Sequence, residues 1–174
     1  MPELSASNAE VLVLGFGNPG RGDDGLGPAF AEAVEGLGLP GVSVDADYQL
    51  NVEDAEAVAR HRVVVFADAD MNGGEPFSFR PLAPEPGLSF TSHSLGPQAV
   101  LALADEVFGA RPQSYLLGIR GYDFQPFNES LTVKAEANLK AAISFFQSLM
   151  HNHSLGRDRL DQVQPATGAG EEEP

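Results

Sequence analysis

The sequence predicts an α/β fold, in which strands and helices alternate along the chain and helices cover a parallel sheet. Apolar runs alternate with segments of helical period over most of the length. The clearest runs, at residues 11–14 and 62–67, are continuously apolar or β-branched. Such runs are typical of strands that are buried on both faces, as they are in parallel sheets.

The first half of the chain contains three predicted strands and two helices. Residues 11–14 form a strand that ends in a glycine-rich turn, and residues 28–37 repeat apolar side chains at helical spacing. A second strand is expected at residues 42–44. Asn51 can cap a short helix at residues 53–60, and the strand at residues 62–67 is expected to stop at Asp68 and Asp70.

The second half begins with a proline-rich stretch. Residues 73–90 hold four prolines, which predicts a loop with at most a short edge strand near residues 77–80. A helix at residues 95–108 begins just after His93. A strand at residues 115–119 and an amphipathic helix at residues 132–150 complete the pattern.

The length and composition predict one domain at residues 1–150, followed by a polar tail. The chain has 174 residues, enough for a single core. Residues 151–174 are polar and end in three glutamates and a proline, so we expect an unstructured acidic tail there.

The charge and the missing cysteines exclude several functions. The 10 basic and 25 acidic residues give a net charge of −15, which disfavours nucleic acid and anionic membranes as partners. The absence of cysteine excludes thiolate metal sites and cysteine nucleophiles. The N-terminus has no secretory signal and no apolar run is long enough to span a membrane, so we expect a cytoplasmic protein, provisionally a monomer.

The glycine-rich turn permits two interpretations. Gly15-Phe16-Gly17-Asn18-Pro19-Gly20 fits the dinucleotide pattern G-x-G-x-x-G, and Asp45 could contact a ribose. Asp23 and Asp24 oppose this interpretation, because a pyrophosphate requires free N–H groups at the helix start. One aspartate would suffice as a helix cap, so the adjacent pair favours a functional site at the carboxyl edge of the sheet.

Two further side chains are expected at that edge. Asp68 ends the third strand, and His93 directly precedes a helix. Each alone could be an ordinary strand-end or loop residue. Together with Asp24 they provide two carboxylates and an imidazole, a set that suits Ni²⁺, Zn²⁺ or Fe²⁺.

Three segments together resemble the [NiFe]-hydrogenase maturation endopeptidases over residues 10–150. They are the runs Gly15-Phe16-Gly17-Asn18-Pro19-Gly20-Arg21-Gly22-Asp23-Asp24-Gly25-Leu26-Gly27, Phe66-Ala67-Asp68-Ala69 and Thr91-Ser92-His93-Ser94-Leu95-Gly96. The resemblance implies a three-layer α/β/α fold with a five-stranded, mostly parallel twisted sheet. It also implies removal of the C-terminal extension of a hydrogenase large-subunit precursor after nickel insertion.

In this family pattern the nickel-interacting and catalytic positions fall on Asp24, Asp68 and His93. Nickel would arrive with the precursor, so we expect no resident metal and no organic cofactor. One departure follows the second strand, where many members have Asp-Gly-Gly-Thr and this chain has Asp45-Ala46-Asp47-Tyr48-Gln49-Leu50-Asn51. That loop is expected to face the substrate, where the change would alter the choice of precursor.

Two alternatives remain beside the nucleotide-binding module. The strand and turn Gly17-Asn18-Pro19-Gly20 also resemble the start of bacterial peptidyl-tRNA hydrolases, but the Thr-Arg-His-Asn run of that family is missing and the acidic charge is wrong for tRNA. Ser92 or Ser94 beside His93 could suggest a serine hydrolase, but the chain has no G-x-S-x-G turn.

Overall fold

Five strands form a single sheet in the computed structural model, which describes residues 10–85 and 95–152. The strands are β1 (Val11–Phe16), β2 (Val42–Asp47), β3 (Val63–Asp70), β4 (Phe77–Leu82) and β5 (Gln113–Arg120). Their order across the sheet is β2-β1-β3-β5-β4. All neighbours pair in parallel except β4, which runs antiparallel to β5 at the edge.

Helices cover both faces of the sheet. They are α1 (Leu26–Leu37), α2 (Asp54–Ala59), α3 (Pro97–Phe108) and α4 (Val133–His151), and a 3₁₀ helix (Gly22–Gly25) precedes α1. Helices α1 and α4 pack on one face, and α2 and α3 pack on the other. The predicted three-layer α/β/α sandwich with a five-stranded, mostly parallel sheet is therefore confirmed. Within the described ranges, no helix is both long and apolar enough to cross a bilayer.

The central strands are apolar on both faces because each face meets a helical layer. In β3, Val63, Val65 and Ala67 join the core below α1 and α4. Val64 and Phe66 alternate with them and join the core below α2 and α3. This alternation across a doubly covered sheet explains why the strand is a continuous run of apolar residues.

The predicted elements are all found, with small shifts at their ends. Strand β3 continues to Asp70, three residues beyond the predicted strand at residues 62–67, because residues 68–70 still pair with residues 118–120 of β5. The edge strand β4 includes Pro81, which an edge position tolerates. Helix α4 extends to His151, and residues 153–174 of the predicted tail lie outside the described residues.

Candidate active site

The sheet topology places a crevice at the carboxyl ends of β1 and β3. These strands are neighbours, but the chain leaves β1 toward β2 on one side and leaves β3 toward the other half of the sheet. Ligands of open α/β sheets bind at such a switch point, outside the carboxyl ends of the strands. Asp24 follows β1, and Asp68 lies near the end of β3.

Close packing of α1 on the sheet brings these two segments together. A Cβ atom on Gly27 would lie 2.3 Å from the Phe16 carbonyl oxygen and 2.5 Å from that of Ala67. The start of α1 therefore lies directly against the ends of β1 and β3. Because the 3₁₀ helix immediately precedes α1, it carries Asp24 to the end of β3.

Asp24 and Asp68 line one cleft of about 410 Å³. The remaining lining residues come from the end of β1, the loop after β2, the start of α3 and β5: Phe16, Gly17, Tyr48, Gln49, Leu50, Leu95, Gly96, Pro97 and Leu116. The structure thus brings together the two carboxylates that the sequence assigned to the site. Their ligand chemistry suits a divalent cation or an acid–base role.

The Asp24 carboxylate is held by the glycine-rich turn. Its Oδ2 accepts a hydrogen bond of 2.8 Å from the Asn18 N–H. Gly17, at φ +141°, approaches the main chain of Asp24 closely, and a Cβ there would lie 2.1 Å from the Asp24 carbonyl oxygen. Asp24 does not cap α1, because the N-cap position belongs to Gly25. The capping interpretation of this carboxylate is therefore wrong for α1.

Asp68 is half-buried, and its environment favours protonation. Burial raises the pKa of its carboxyl to about 7, the charges of Asp24 and Asp70 contribute in the same direction, and the hydrogen bond from the Ala69 N–H opposes them. That hydrogen bond measures 2.8 Å. A divalent cation in the cleft would relieve the repulsion between the carboxylates and favour the ionised form.

Asp23 has a different environment from its neighbour Asp24. It is fully buried, at 0% exposure. Burial raises the pKa of this carboxyl, but hydrogen bonds from Thr132, Tyr122 and Asp123 outweigh that effect and hold the pKa below its usual value. Of the two consecutive aspartates, only Asp24 lines the cleft.

His93, the third predicted site residue, lies outside the described residues. Leu95, two positions later in the chain, lines the cleft. Over residues 10–85 and 95–152, no group of three His, Cys, Asp or Glu side chains could hold a metal ion. The role of His93 as a third ligand remains a prediction.

The loop after β2 contributes residues that sequence reasoning did not assign to the site. Tyr48, Gln49 and Leu50 line the cleft, and Tyr48 is 68% exposed. The sequence signal was the departure from Asp-Gly-Gly-Thr, from which the loop was expected to face the substrate, although no individual role was assigned to these three side chains. Their position beside Asp24 and Asp68 makes the loop one wall of the cleft.

The turn after β1 is poorly suited to a dinucleotide. The Asn18 N–H donates to Asp24, and the Gly20 N–H donates to Asn18 Oδ1 at 2.8 Å. These amides, which a pyrophosphate would need, are already satisfied within the turn. A phosphate at this place would also meet the Asp24 carboxylate.

Comparison with solved structures shows close similarity to one group of enzymes. The [NiFe] hydrogenase maturation protease HycI from Thermococcus kodakarensis aligns at 23% identity and a TM-score of 0.64, over 84% of this chain and 96% of that one. The hydrogenase maturating endopeptidase HybD from Escherichia coli aligns at 25% identity and a TM-score of 0.64, over 83% and 93%. A thaumarchaeal hydrogenase 2 maturation peptidase aligns at 24% identity and a TM-score of 0.59, over 81% and 97%.

These similarities confirm the resemblance to the [NiFe]-hydrogenase maturation endopeptidases that the three sequence segments indicated. They span nearly the whole length of the compared proteins. No protein-family model and no curated protein sequence matches this chain.

Proposed function

We propose that the protein is an endopeptidase that removes the C-terminal extension of a [NiFe]-hydrogenase large-subunit precursor after nickel has been inserted. The observation that carries the proposal is the convergence of Asp24 and Asp68 in one cleft at the switch point of the sheet. The same fold occurs in solved hydrogenase maturation proteases. The dinucleotide alternative loses support, since the turn amides are already bonded.

Nickel is part of the substrate in this proposal. The carboxylates of Asp24 and Asp68, with the imidazole of His93, would contact the nickel ion in the precursor, and cleavage would depend on its presence. In the free protein, burial raises the pKa of Asp68, and repulsion from the neighbouring Asp24 carboxylate adds to that effect. A nickel-loaded precursor would remove that repulsion on binding.

Water is the proposed nucleophile, because the chain has no cysteine and no G-x-S-x-G turn. The Asp68 carboxylate is the candidate general base, because it lines the cleft in which the peptide bond would lie. Asp68 would accept a proton from the water that attacks the peptide carbonyl carbon. It would return the proton to the amine nitrogen as the C–N bond breaks.

The missing cysteines have a consequence for the metal. The cleft offers carboxylate oxygens, and His93 would add an imidazole nitrogen. Thiolates are softer ligands than carboxylates, which suit hard cations such as Mg²⁺ and Ca²⁺. The enzyme would therefore examine a nickel ion held by precursor thiolates without extracting it.

The processing reaction can be tested directly with purified protein. Incubation with a nickel-loaded large-subunit precursor should shorten the precursor at its C-terminus, which intact-mass spectrometry measures. His93→Ala should leave a folded protein that processes the precursor at least about 100-fold more slowly. Asp105→Asn, at the opposite end of α3 from the cleft, is the matched control and should process normally.

An unchanged precursor mass with the wild-type protein would contradict the proposed activity. Processing by His93→Ala at the rate of the Asp105→Asn control would remove His93 from the site. The first result concerns the function and the second concerns only the third ligand.

A further inference from the structure

The buried carboxylate of Asp23 is bonded on all sides by a distant segment of the chain. Its Oδ1 accepts from the Thr132 N–H at 2.8 Å. Its Oδ2 accepts from the N–H groups of Tyr122 and Asp123, at 2.8 and 3.1 Å, and from the Thr132 hydroxyl at 2.9 Å. We call Asp23 and these three partners the Asp23 clamp. Both oxygens are thus engaged by residues about 100 positions away in sequence.

Main-chain hydrogen bonds join the same two segments on either side of the clamp. The Gly22 N–H donates to the Asn128 carbonyl at 2.6 Å, and the Asp23 N–H donates to the Asp123 carbonyl at 2.8 Å. The Asn128 N–H donates back to the Gly20 carbonyl at 3.0 Å. Main-chain and side-chain hydrogen bonds therefore both join the loop that carries Asp24 to residues 122–132.

Thr132 connects the clamp to the helical layer. It is the N-cap of α4, and its hydroxyl oxygen accepts from the Ala135 N–H at 3.2 Å while its hydroxyl hydrogen is donated to Asp23. Helix α4 is 19 residues long and packs against α1 and β5. The hydrogen bond from Thr132 therefore ties the position of Asp23 to helix α4.

Two glycines allow the segments of the clamp to approach each other closely. A Cβ on Gly121 would lie 2.9 Å from the Asp23 Cβ. Gly22 has φ +58°, and a Cβ there would lie 2.5 Å from the Asp123 carbonyl oxygen. The two segments can approach this closely only with glycine at both positions.

We propose that Asp23 is a positioning residue, which fixes the 3₁₀ helix so that the adjacent Asp24 faces Asp68 in the cleft. Asp23 itself does not line the cleft. It acts through Asp24, whose backbone and side chain follow directly from the clamped residue. The effect on peptide cleavage rests on the proposed function, whereas the effect on Asp24 is a property of the fold.

The test substitution is Asp23→Asn, which preserves shape but replaces one acceptor oxygen with an NH₂ group. An asparagine cannot accept from all four donors, so at least one donor meets the NH₂ group. We expect kcat per folded molecule to fall about tenfold or more, because misplacement of a group that contacts the reacting centre costs rate. A purely structural role would lower the amount of folded protein but leave kcat per folded molecule unchanged.

A second readout does not depend on peptidase activity. The Asn18 N–H donates to Asp24 Oδ2, so its hydrogen-exchange rate reports whether Asp24 is held in place. In Asp23→Asn this exchange should accelerate by about tenfold, even if the wild-type protein were to show no cleavage at all. Failure of the proposed function and failure of the positioning role are thus distinguishable.

Two sets of controls complete the experiment. Phe146→Leu destabilises the core far from the clamp and should leave both kcat and Asn18 exchange unchanged. Thr132→Val removes the hydroxyl donor and should reproduce the Asp23→Asn effects in milder form. Thr132→Ser keeps the hydroxyl, so its kcat and its Asn18 exchange rate should equal those of the wild-type protein. If Asp23→Asn fails to fold, the Thr132 pair decides the question. Wild-type kcat and wild-type Asn18 exchange in Asp23→Asn, or in Thr132→Val, would overturn the proposal.

Discussion

The two loops that wall the cleft are built in opposite ways. The loop after β1, residues 17–25, is bonded to residues 122–132 across the molecule and contains the fully buried Asp23. In the loop after β2, residues 48–53, main-chain N–H groups donate to side chains that are close in sequence. There the Asn51 N–H donates to Asp54 at 2.8 Å, and the Glu53 N–H donates to Asn51 at 3.1 Å.

This difference separates two tasks. A group that takes part in a reaction must be held within a narrow range of positions, which the first loop provides for Asp24. A surface that contacts a partner gains from exposed side chains, and Tyr48 is 68% exposed on the second loop. The departure from the family's Asp-Gly-Gly-Thr pattern begins in the last residues of β2 and continues into this second loop, which agrees with a role in the choice of precursor.

The largest effect is expected from Asp68→Asn, at the end of β3, opposite the loop that holds Asp24. Loss of the proton-carrying carboxylate should lower the processing rate by about 100-fold or more. The free energy of unfolding at pH 8 should rise by about 1 kcal/mol, since burial penalises the ionised carboxyl. Processing assays and urea unfolding measure the two quantities. A variant that loses stability and activity together would indicate a structural role instead.

The close contact of α1 with the sheet predicts a large stability difference between two glycines of one helix. Gly27→Ala forces a Cβ to within 2.3 Å of the Phe16 carbonyl oxygen, so it should destabilise the fold by about 3 kcal/mol or more. Gly36→Ala is the matched control, because nothing lies within 4 Å of its Cβ position. It should stabilise the protein by about 0.5 kcal/mol through helix propensity. Equal effects of the two changes would contradict the packing.

The raised pKa of Asp68 predicts a pH dependence of stability. The folded-state pKa is about 7, above the ordinary value of 3.8, so the folded protein binds more protons between these pH values. The contribution of Asp68 is therefore fully present below pH 4 and is lost as the pH rises to about 7. We expect a loss of about 2 kcal/mol, reduced from the full pKa difference because the carboxyl is partly exposed.

The pH dependence is measured by unfolding titrations of the wild-type protein and of Asp68→Asn between pH 5 and 8. The difference between the two proteins should shrink toward pH 5. A constant difference across that range would show that Asp68 titrates normally.

The smallest effect is expected from Tyr48→Ala, in the loop after β2. Its side chain is mostly exposed, so the free energy of unfolding should change by less than about 0.5 kcal/mol. The KM for the precursor should rise about threefold, while kcat stays near the wild-type value. Steady-state kinetics with one precursor checks this. A fall in kcat as large as that of Asp68→Asn would show that Tyr48 takes part in the reaction and not only in contacting the precursor.

The sequence was sufficient for the layers of the fold and for the position of Asp24 and Asp68 at one edge of the sheet. Continuous apolar strands and amphipathic helices predicted the sandwich, because burial on two faces leaves a direct pattern in the residues. Asp24 and Asp68 were placed correctly because carboxyl ends of parallel strands share one edge of the sheet. The end of β3 lies three residues beyond the predicted strand at residues 62–67, since strand pairing with β5 continues through residues 68–70.

The roles of the adjacent aspartates could not be predicted. Asp23 and Asp24 are chemically identical neighbours, and only tertiary contacts with residues 122–132 distinguish the buried one from the one in the cleft. Those contacts join positions about 100 residues apart, which no local pattern encodes. The exposure of Tyr48 depends in the same way on the path of its loop.

The central claim is that the cleft holding Asp24 and Asp68 acts on a nickel-loaded hydrogenase precursor. The most direct test compares the same precursor with and without nickel, incubated with the wild-type protein and analysed by intact-mass spectrometry. The account predicts loss of the C-terminal extension from the nickel-loaded precursor and an unchanged mass for the nickel-free one. Equal processing of both, or of neither, would contradict it.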